Sequence, residues 1–161
     1  MDKLLEILST NSDFSMEELA LMLNESEDVI KAKIKDYRAK GIIKGYHATI
    51  NWEKVENAQV TALIELKVTP KPESGFEEIA ARIAEYPEVK SVYLMAGAYD
   101  LALFVQDESM QAVSSFVSRK LSALDGILST ATYFVLKSYK ENGVVFEKDK
   151  KKKDKRSLIL W

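Results

Sequence analysis

The sequence contains no cysteine, a single histidine, His47, and only three prolines among its 161 residues. Without cysteine the chain can form no disulfide and has no thiolate nucleophile. One histidine cannot build the histidine clusters that hold catalytic metals. The sequence also has no run of about 18 apolar residues and no cleavable signal pattern at its start. We therefore expect a cytoplasmic protein with no cofactor and no membrane partner.

An excess of one charge is also absent. The chain has 23 lysines and arginines against 25 aspartates and glutamates, which gives a net charge of −2. Overall charge therefore does not indicate nucleic-acid binding, and any such function has to rest on local charge. Apolar residues make up 47% of the chain and charged residues 30%, a balance typical of globular domains. The length allows one ordinary domain or two small ones.

The most apolar stretch, residues 89–106, predicts two strands joined by a tight turn at Gly97. Both faces of this hairpin are largely apolar, so we expect both to be covered. Asp100 is the exception, because a carboxylate between core strands is costly unless a partner meets it. We therefore treat residues 97–100 as a candidate ligand site.

The first 50 residues predict three short helices. The first begins at Asp2, the second begins at Ser15, which has capping-box spacing to Glu18, and the third begins at Ser26 and ends at Gly41. A brief turn between the second and third helices is typical of a helix-turn-helix, whose third helix can enter a major groove. Residues 42–50 have strand character. The expected inward residues are Leu4, Leu5, Ile7, Leu8, Met16, Leu19, Ala20, Leu23, Val29, Ile30, Ile34 and Tyr37.

Local charge around the third helix supports DNA binding only in part. Between residues 31 and 44, Asp36 is the single acid among six bases, Lys31, Lys33, Lys35, Arg38, Lys40 and Lys44. However, Glu25, Glu27 and Asp28 lie at the start of this helix, where a recognition helix usually meets bases. Acids at a helix N-terminus also stabilise the helix through its dipole. Taken alone, the segment is either a DNA-binding unit or a packing unit.

Residues 60–139 predict the order β-α-β-β-α-β. A strand at 60–69 precedes a helix with Phe76, Ile79, Ala80 and Ile83 inward. After the central hairpin, Ser109 opens a second helix with Met110, Val113, Phe116, Val117, Leu121 and Leu124 inward, and residues 127–139 form a long final strand. Connection rules then give a four-stranded antiparallel sheet with both helices on one side.

Two helices leave the other face of such a sheet uncovered. Its expected apolar residues are Val92, Leu94, Phe104, Phe134 and Leu136. An exposed apolar face of this kind is best explained by a second copy of the chain packed sheet against sheet, so we expect a homodimer that can assemble further. The remaining residues, 140–161, are charged, with a basic block at 150–153. They suggest a terminal hairpin between residues 144–146 and 157–161.

Three stretches together resemble the leucine-responsive regulatory protein/AsnC (Lrp/AsnC) family, the feast/famine regulators. They are SMEELALMLNESEDVIKAKIKDYRAKGIIKGYHATIN at 15–51, AGAYDLALFV at 96–105 and LDGILSTATYFVLKSYK at 124–140. The resemblance implies an α+β chain with a winged-helix-like helix-turn-helix domain at 1–50 and a linker at 51–59. A ferredoxin-like domain at 60–139, which binds effector and oligomerises, and a charged tail at 140–161 complete the expected organisation.

The resemblance further implies a sequence-specific transcription regulator that binds double-stranded DNA, forms a homodimer that assembles into an octamer or similar ring, and senses an amino acid. The implied DNA-binding residues are Ser15, Ser26, Lys31, Lys33, Lys35 and Arg38. The implied effector site between dimers comprises Gly97, Ala98, Tyr99, Asp100, Ser129, Thr130, Ala131 and Thr132. Amides and hydroxyls there can meet a carboxylate, and Asp100 can meet an ammonium group. Alternatively, Asp100 caps the turn and the threonines are ordinary strand residues.

The chain departs from the family at two positions of the third helix. Lys33 stands where arginine is common, and Tyr37 stands where leucine is common. Lysine lacks the two-pronged hydrogen bonding of a guanidinium group, so DNA affinity can be modest. Two alternatives stay open: an amino-acid-binding module that does not bind DNA, and a tetrapyrrole decarboxylase-like enzyme, for which the chain offers His47, Arg82 and Arg119.

Overall fold

The computed structural model describes residues 2–146 and shows an α+β fold. These residues divide into two compact units. The helical unit comprises residues 2–50 and 139–146, and the sheet unit comprises residues 51–138. No helix in this part of the chain combines the length and apolar character that a bilayer-spanning segment needs. The basic block at 150–153 and the second arm of the expected terminal hairpin lie outside the described residues.

The helical unit contains the three expected helices: α1 (Lys3–Thr10), α2 (Met16–Leu23) and α3 (Glu27–Ala39). Each begins at a side chain that accepts hydrogen bonds from first-turn amides, namely Asp2, Ser15 and Ser26. The turn between α2 and α3 is formed by Asn24, whose φ of 53° lies in the left-handed region. The predicted helix-turn-helix is therefore formed.

The core of the helical unit consists of four buried side chains, one from α1, one from α2 and two from α3: Leu4, Leu19, Ile30 and Ile34. Tyr37 packs against them, as expected. The prediction that Val29 faces inward was wrong, because its side chain is 44% exposed. The buried stripe runs through positions 30, 34 and 37, and the 3.6-residue period places position 29 beside that stripe.

The strand predicted at residues 42–50 is not formed. A strand requires a neighbour to pair with its backbone, and no described segment pairs with these residues. A short hairpin that pairs Lys140–Glu141 with Val144–Val145 belongs to the same unit. Asn142 at its turn donates a 3.4 Å hydrogen bond to the Thr49 hydroxyl. Val144 and Val145 thus pair with residues before them.

The sheet unit has the predicted β-α-β-β-α-β order after a short 3-10 turn at Trp52–Lys54. Its elements are β1 (Val60–Val68), α4 (Glu77–Ala84), β2 (Val89–Leu94), β3 (Leu101–Asp107), α5 (Met110–Phe116), a π-helical turn (Val117–Leu121) and β4 (Ile127–Phe134). The strand order is β2-β3-β1-β4 and every neighbouring pair is antiparallel. The last strand is shorter than predicted, since it ends at Phe134 instead of residue 139.

The main core lies between the sheet and its two helices. Its buried residues are Ala62, Ile64, Leu66, Val68, Ile83, Leu101, Leu103, Val105, Val113, Phe116, Leu121 and Leu124. Five of the ten residues that the sequence placed inward around α4 and α5 are among these, and four more, Phe76, Ile79, Ala80 and Val117, are partly buried against them. Met110 is the exception: it occupies the first position of α5 and is 47% exposed, so the inward stripe of that helix begins at Val113.

Two residues predicted for the uncovered face of the sheet pack in the core instead. Val89 pairs with Val105 and Ser91 with Phe104, so a bulge lies between Val89 and Ser91. This irregularity breaks the strict alternation and turns Val92 towards the core. Phe134 also packs against the core. The other two predictions also failed. Leu94 pairs with the core residue Leu101 and so lies on the helix side of the sheet, and Leu136 lies beyond the end of β4.

The uncovered face nevertheless carries large apolar side chains. Cross-strand pairs connect Phe104 to Leu63 and Leu63 to Tyr133, so one row runs from β3 to β4. The Tyr93 ring meets the Phe104 ring edge to face, with centroids 6.5 Å apart. We call these four residues the open sheet face. Phe104 is the one residue that the sequence placed there correctly.

The β2-β3 connection is a six-residue loop, Met95 to Asp100, rather than a tight turn at Gly97. The Met95 amide donates to the Asp100 carbonyl across 2.8 Å and closes the loop. Gly97 does not have a left-handed φ, and a Cβ placed on it would meet nothing within 4 Å. In contrast, Gly126 has a φ of 93° just before β4, and a Cβ there would lie 3.5 Å from the Thr69 carbonyl oxygen.

Replacing each of these glycines by alanine should therefore have opposite outcomes. We expect Gly126→Ala to lower the free energy of unfolding by about 1–3 kcal/mol, because an L-residue is strained at that φ. Gly97→Ala should leave stability unchanged or raise it by up to about 1 kcal/mol, because it restricts only the unfolded chain. Urea unfolding followed by circular dichroism measures both. Equal losses in the two variants would contradict the loop geometry.

Candidate functional site

The two serines assigned to DNA binding begin the helices of the helix-turn-helix. The Ser15 hydroxyl accepts from the Glu18 amide (3.1 Å), and the Glu18 carboxylate accepts from the Ser15 amide (2.7 Å), which completes the capping box. The Ser26 hydroxyl accepts from the Val29 amide (3.4 Å). In both serines the hydroxyl proton stays available for donation, for instance to a phosphate oxygen.

The acids around the start of α3 are largely neutralised by lysines of the same helix. Glu25 contacts the Lys33 ammonium group through both carboxylate oxygens, at 2.6 and 2.7 Å. Glu27 pairs with Lys31 across 3.0 Å and, by hydrogen bonding, raises the pKa of Lys31 above its ordinary value. Asp36 pairs with Lys40 at 2.7 Å. Two of the three acids that counted against DNA binding, Glu25 and Glu27, are therefore paired with lysines of α3, whereas Asp28 forms no ion pair with the described residues.

The ion pairs divide the lysines of α3 into two kinds. Lys33 is partly buried and held by two short contacts, so its charge is committed to Glu25 at the α2-α3 turn. Lys31 and Glu27 are about half exposed and one helical turn apart. Such surface pairs are weak and screened by salt, so Lys31 can exchange Glu27 for a phosphate. The predicted residues Lys31 and Lys33 thus differ in availability.

Three bases in and after α3 form no ion pair with the described residues: Lys35, Arg38 and Lys44. The Arg38 guanidinium carbon lies over the Tyr46 ring, 5.4 Å from its centroid, a cation-π contact that limits the orientations of the group. Arg38, Lys44 and Tyr46 line one cavity of about 380 Å³ with Ile43 and Gly45. The charge of Lys44 is evident from the sequence, whereas Tyr46 was not predicted, because its only signal is an aromatic residue in a basic stretch.

The hydroxyl of Tyr37 connects the third helix to the first. It donates to the Asp2 carboxylate across 2.8 Å. This hydrogen bond lowers the pKa of Asp2 and raises that of Tyr37 from their ordinary values. A leucine at this position could not make the contact. The departure from the family at Tyr37 therefore ties the start of α1 to α3.

In the predicted effector loop, Asp100 already has partners within the chain. Its amide donates to the Leu66 carbonyl (2.9 Å), and its carboxylate accepts from the Val68 amide (2.8 Å) and from the Lys67 ammonium group (3.3 Å). The Val68 hydrogen bond is the main reason that the pKa of Asp100 lies below its ordinary value. This geometry is that of the capping alternative, in which Asp100 fixes the end of the loop to β1.

The register of β4 separates the other predicted effector residues onto two faces. Ser129 and Ala131 lie opposite Lys67 and Glu65, whereas Thr130 and Thr132 lie opposite the buried residues Leu66 and Ile64. Because paired residues of neighbouring strands share a face, the two threonines are on the helix side of the sheet. Ser129 and Asp100 flank Lys67 at one end of the sheet, so the structure does bring the loop and the start of β4 together.

Glu65 is a polar residue on the uncovered face that sequence analysis did not select. Its carboxylate accepts from the Tyr133 hydroxyl across 3.3 Å, and its hydrogen bond with Tyr99 raises the pKa of that tyrosine. Its cross-strand neighbours, Ala102 and Ala131, are small. The available signal was an acid between Ile64 and Leu66 in the middle of β1. Glu65 and Tyr99 thus add a carboxylate and a phenol near the predicted site.

No group of three histidine, aspartate or glutamate side chains within residues 2–146 has the spacing of a metal site. The exposed bases of the helical unit can pair with phosphates, and the carboxylates and hydroxyls of the sheet unit can pair with a small polar molecule.

Comparison with known proteins finds relatives that match most of the chain. The model of the Lrp/AsnC ligand binding domain matches residues 61–145. An uncharacterized HTH-type transcriptional regulator of Bacillus subtilis, YugG, is 46% identical over 146 residues, which cover 90% of this chain and 88% of the relative. The HTH-type transcriptional regulator FL11 of Pyrococcus furiosus is 28% identical, with 86% of this chain and 89% of the relative covered.

Solved structures that superpose on this chain include further transcriptional regulators. The transcriptional regulator NMB0573 of Neisseria meningitidis, solved as a complex with L-Met, is 27% identical and superposes with a TM-score of 0.69, covering 86% of this chain and 89% of that one. AsnC of Escherichia coli, 24% identical with a TM-score of 0.64 over 86% and 93% of the two chains, shares the fold. On the family model and on the identity to the Bacillus subtilis regulator, the chain belongs to the Lrp/AsnC family.

Proposed function

We propose that this chain is a transcription regulator that binds double-stranded DNA through α3 and changes its DNA occupancy when the sheet unit binds an amino acid. One observation carries this proposal: a capped helix-turn-helix with three unneutralised bases is joined to a domain of the Lrp/AsnC ligand-binding type. The curated relatives named above are HTH-type transcriptional regulators, which supports a binding function and gives no support to the tetrapyrrole decarboxylase alternative.

In the proposed complex, Lys35, Arg38 and Lys44 contact phosphates, and Lys31 joins them after releasing Glu27. The hydroxyls of Ser15 and Ser26 donate to phosphates at the starts of α2 and α3. Lys33 has a different role: its pair with Glu25 fixes the turn between α2 and α3. The neutralisation of Glu25 and Glu27 weakens the alternative in which the helical unit has no contact with DNA.

Salt dependence should separate these two kinds of lysine. For a duplex from the region upstream of the protein's own gene, we expect each of Lys35→Gln and Lys44→Gln to remove one phosphate contact from every bound copy. The slope of log K against log salt should then fall in magnitude by about 0.9 per copy, or about 1.8 for a dimer. Lys33→Gln, the matched control, should leave the slope unchanged. Fluorescence anisotropy at several salt concentrations gives the slopes. Binding by the parent protein that hardly responds to salt would refute phosphate recognition.

We also propose that two copies pair through the open sheet face, and that dimers assemble further into an octamer or similar ring. The four side chains of this face, Leu63, Tyr93, Phe104 and Tyr133, are contiguous through cross-strand pairs and a ring contact. An apolar surface of this kind favours self-association.

Light scattering should show a dimer or larger assembly for the parent chain. Phe104→Glu places a charge in the middle of the proposed interface, so this variant should dissociate to monomers at micromolar concentration. Met110→Glu, on exposed helix surface, serves as the control and should keep the parent assembly. A parent chain that is monomeric at working concentrations would contradict the proposal.

The effector site is proposed between dimers, at Gly97, Ala98, Tyr99, Asp100, Ser129, Thr130, Ala131 and Thr132. The complex of NMB0573 with L-Met supports an amino acid as the class of effector. Because the Asp100 carboxylate is engaged by Val68 and Lys67, its first role is to hold the loop in place. Glu65, beside Tyr99, is a second carboxylate that can receive the ammonium group.

A thermal-shift screen of the common amino acids tests this assignment, because a ligand that binds only the folded state raises its melting temperature. Asp100→Ala should lower the melting temperature without ligand, since the Val68 amide loses its acceptor. The pKa of Asp100 is depressed in the folded state, so its carboxylate stabilises the fold only while it is ionised. The decrease in melting temperature should therefore be seen at neutral pH and should disappear as the pH falls through that pKa.

The ligand-induced shift gives the second readout. It should shrink in Glu65→Gln and also in Asp100→Ala, whereas Glu77→Gln, at the exposed start of α4, should retain it. An undiminished shift in both Glu65→Gln and Asp100→Ala would place the effector elsewhere.

A further inference from the structure

The sheet unit contains a cavity beside the segments assigned to the effector site, since its lining includes the residue after Val68 and the residue before Ser129. It has a volume of about 480 Å³ and is bounded by the segment after β1, by α4 and by the start of β4. Its apolar wall comes from Pro70, Pro72, Ile79 and Ile127. A volume of this size accommodates a small metabolite. None of the residues assigned to the effector site lines it.

Two opposite charges in this cavity have no ion-pair partner. Lys71 and Glu78 form a 2.6 Å ion pair, and the Ser74 hydroxyl also bonds Glu78. Arg82 and Asp125 line the same cavity but form no hydrogen bond or ion pair with each other or with another described side chain. The charges of the lining therefore sum to zero, while one cationic and one anionic group each stay open to a ligand.

The backbone at the start of β4 shapes the rim of the cavity. Lys67 pairs with Ser129 and Val68 with Ile127, so Leu128 is the extra residue of a bulge and is mostly exposed. Gly126 accepts a 2.8 Å hydrogen bond from the Thr69 amide and leaves the cavity wall without a side chain. Bulges often occur next to binding sites, where they redirect side chains.

We propose that this cavity is a second ligand site, separate from the effector site, for a dipolar metabolite with an apolar side chain, such as an aliphatic amino acid. The ligand carboxylate pairs with the Arg82 guanidinium group, its ammonium group pairs with Asp125, and its side chain packs on Ile79 and Ile127. A ligand of net charge would leave one of the two protein charges unmet, whereas a zwitterion meets both.

The isoleucines of the cavity wall provide a direct readout in the full chain. We use methyl NMR with isoleucine δ1 labels and L-leucine as the probe, followed by the other common amino acids. Leucine should shift the methyl signals of Ile79 and Ile127 and leave that of Ile30, in the helical unit, unchanged. L-leucine methyl ester lacks the carboxylate and N-acetyl-L-leucine lacks the ammonium group, so each should bind about tenfold more weakly or worse.

Variants connect each ligand group to its proposed partner. Arg82→Gln should bind leucine and its methyl ester equally weakly, and Asp125→Asn should do the same for leucine and N-acetyl-L-leucine. Arg119→Gln, outside the cavity, and Glu65→Gln, at the first site, should both bind as the parent does. If no common amino acid moves the Ile79 and Ile127 signals at 10 mM, or if the two blocked analogues move them as strongly as leucine, the proposal is wrong.

Discussion

The pairing of β1 with both β3 and β4 is the constraint on which the sheet unit depends. Paired residues of neighbouring strands lie on the same face of the sheet. The face of each β1 residue therefore determines the face of its partners on β3 and β4. Ala62, Ile64 and Leu66 enter the core, so Leu63 and Glu65 must lie on the opposite face. The open sheet face, the hydrogen bonds of Glu65 with Tyr99 and Tyr133, and the attachment of the proposed effector loop at Lys67 and Val68 all follow from this one register.

The pattern of the sequence was sufficient to predict the order of elements and most of the core. Capping at Ser15 and Ser26, the helical stripes and the β-α-β-β-α-β order depend on local chemistry, which a sequence displays directly. The face assignments of Val92 and Phe134 failed because they depend on cross-strand register, and the bulge near Val89 has no local signature. The strand expected at 42–50 failed because pairing is a property of two segments and not of one.

The candidate site was predicted less completely, for a related reason. Asp100 was selected because a carboxylate in an apolar hairpin is costly, and the structure shows that the Val68 amide and Lys67 meet this cost from another strand. Thr130 and Thr132 were selected together with Ser129, although alternation along β4 separates their faces. Glu65 was overlooked because its neighbours Tyr99 and Tyr133 come from distant parts of the chain.

The ion pairs of α3 determine how substitution of the acids near its start would change the affinity for DNA. The carboxylate of Glu27 offsets the positive charge of Lys31, which lies one turn further along the same exposed surface. Loss of that single carboxylate would strengthen the attraction to duplex without any new base, while loss of Glu25 would instead loosen the corner between two helices. Natural variation at Glu27 can thus change the affinity for DNA, and variation at Glu25 can change the geometry of the α2-α3 turn.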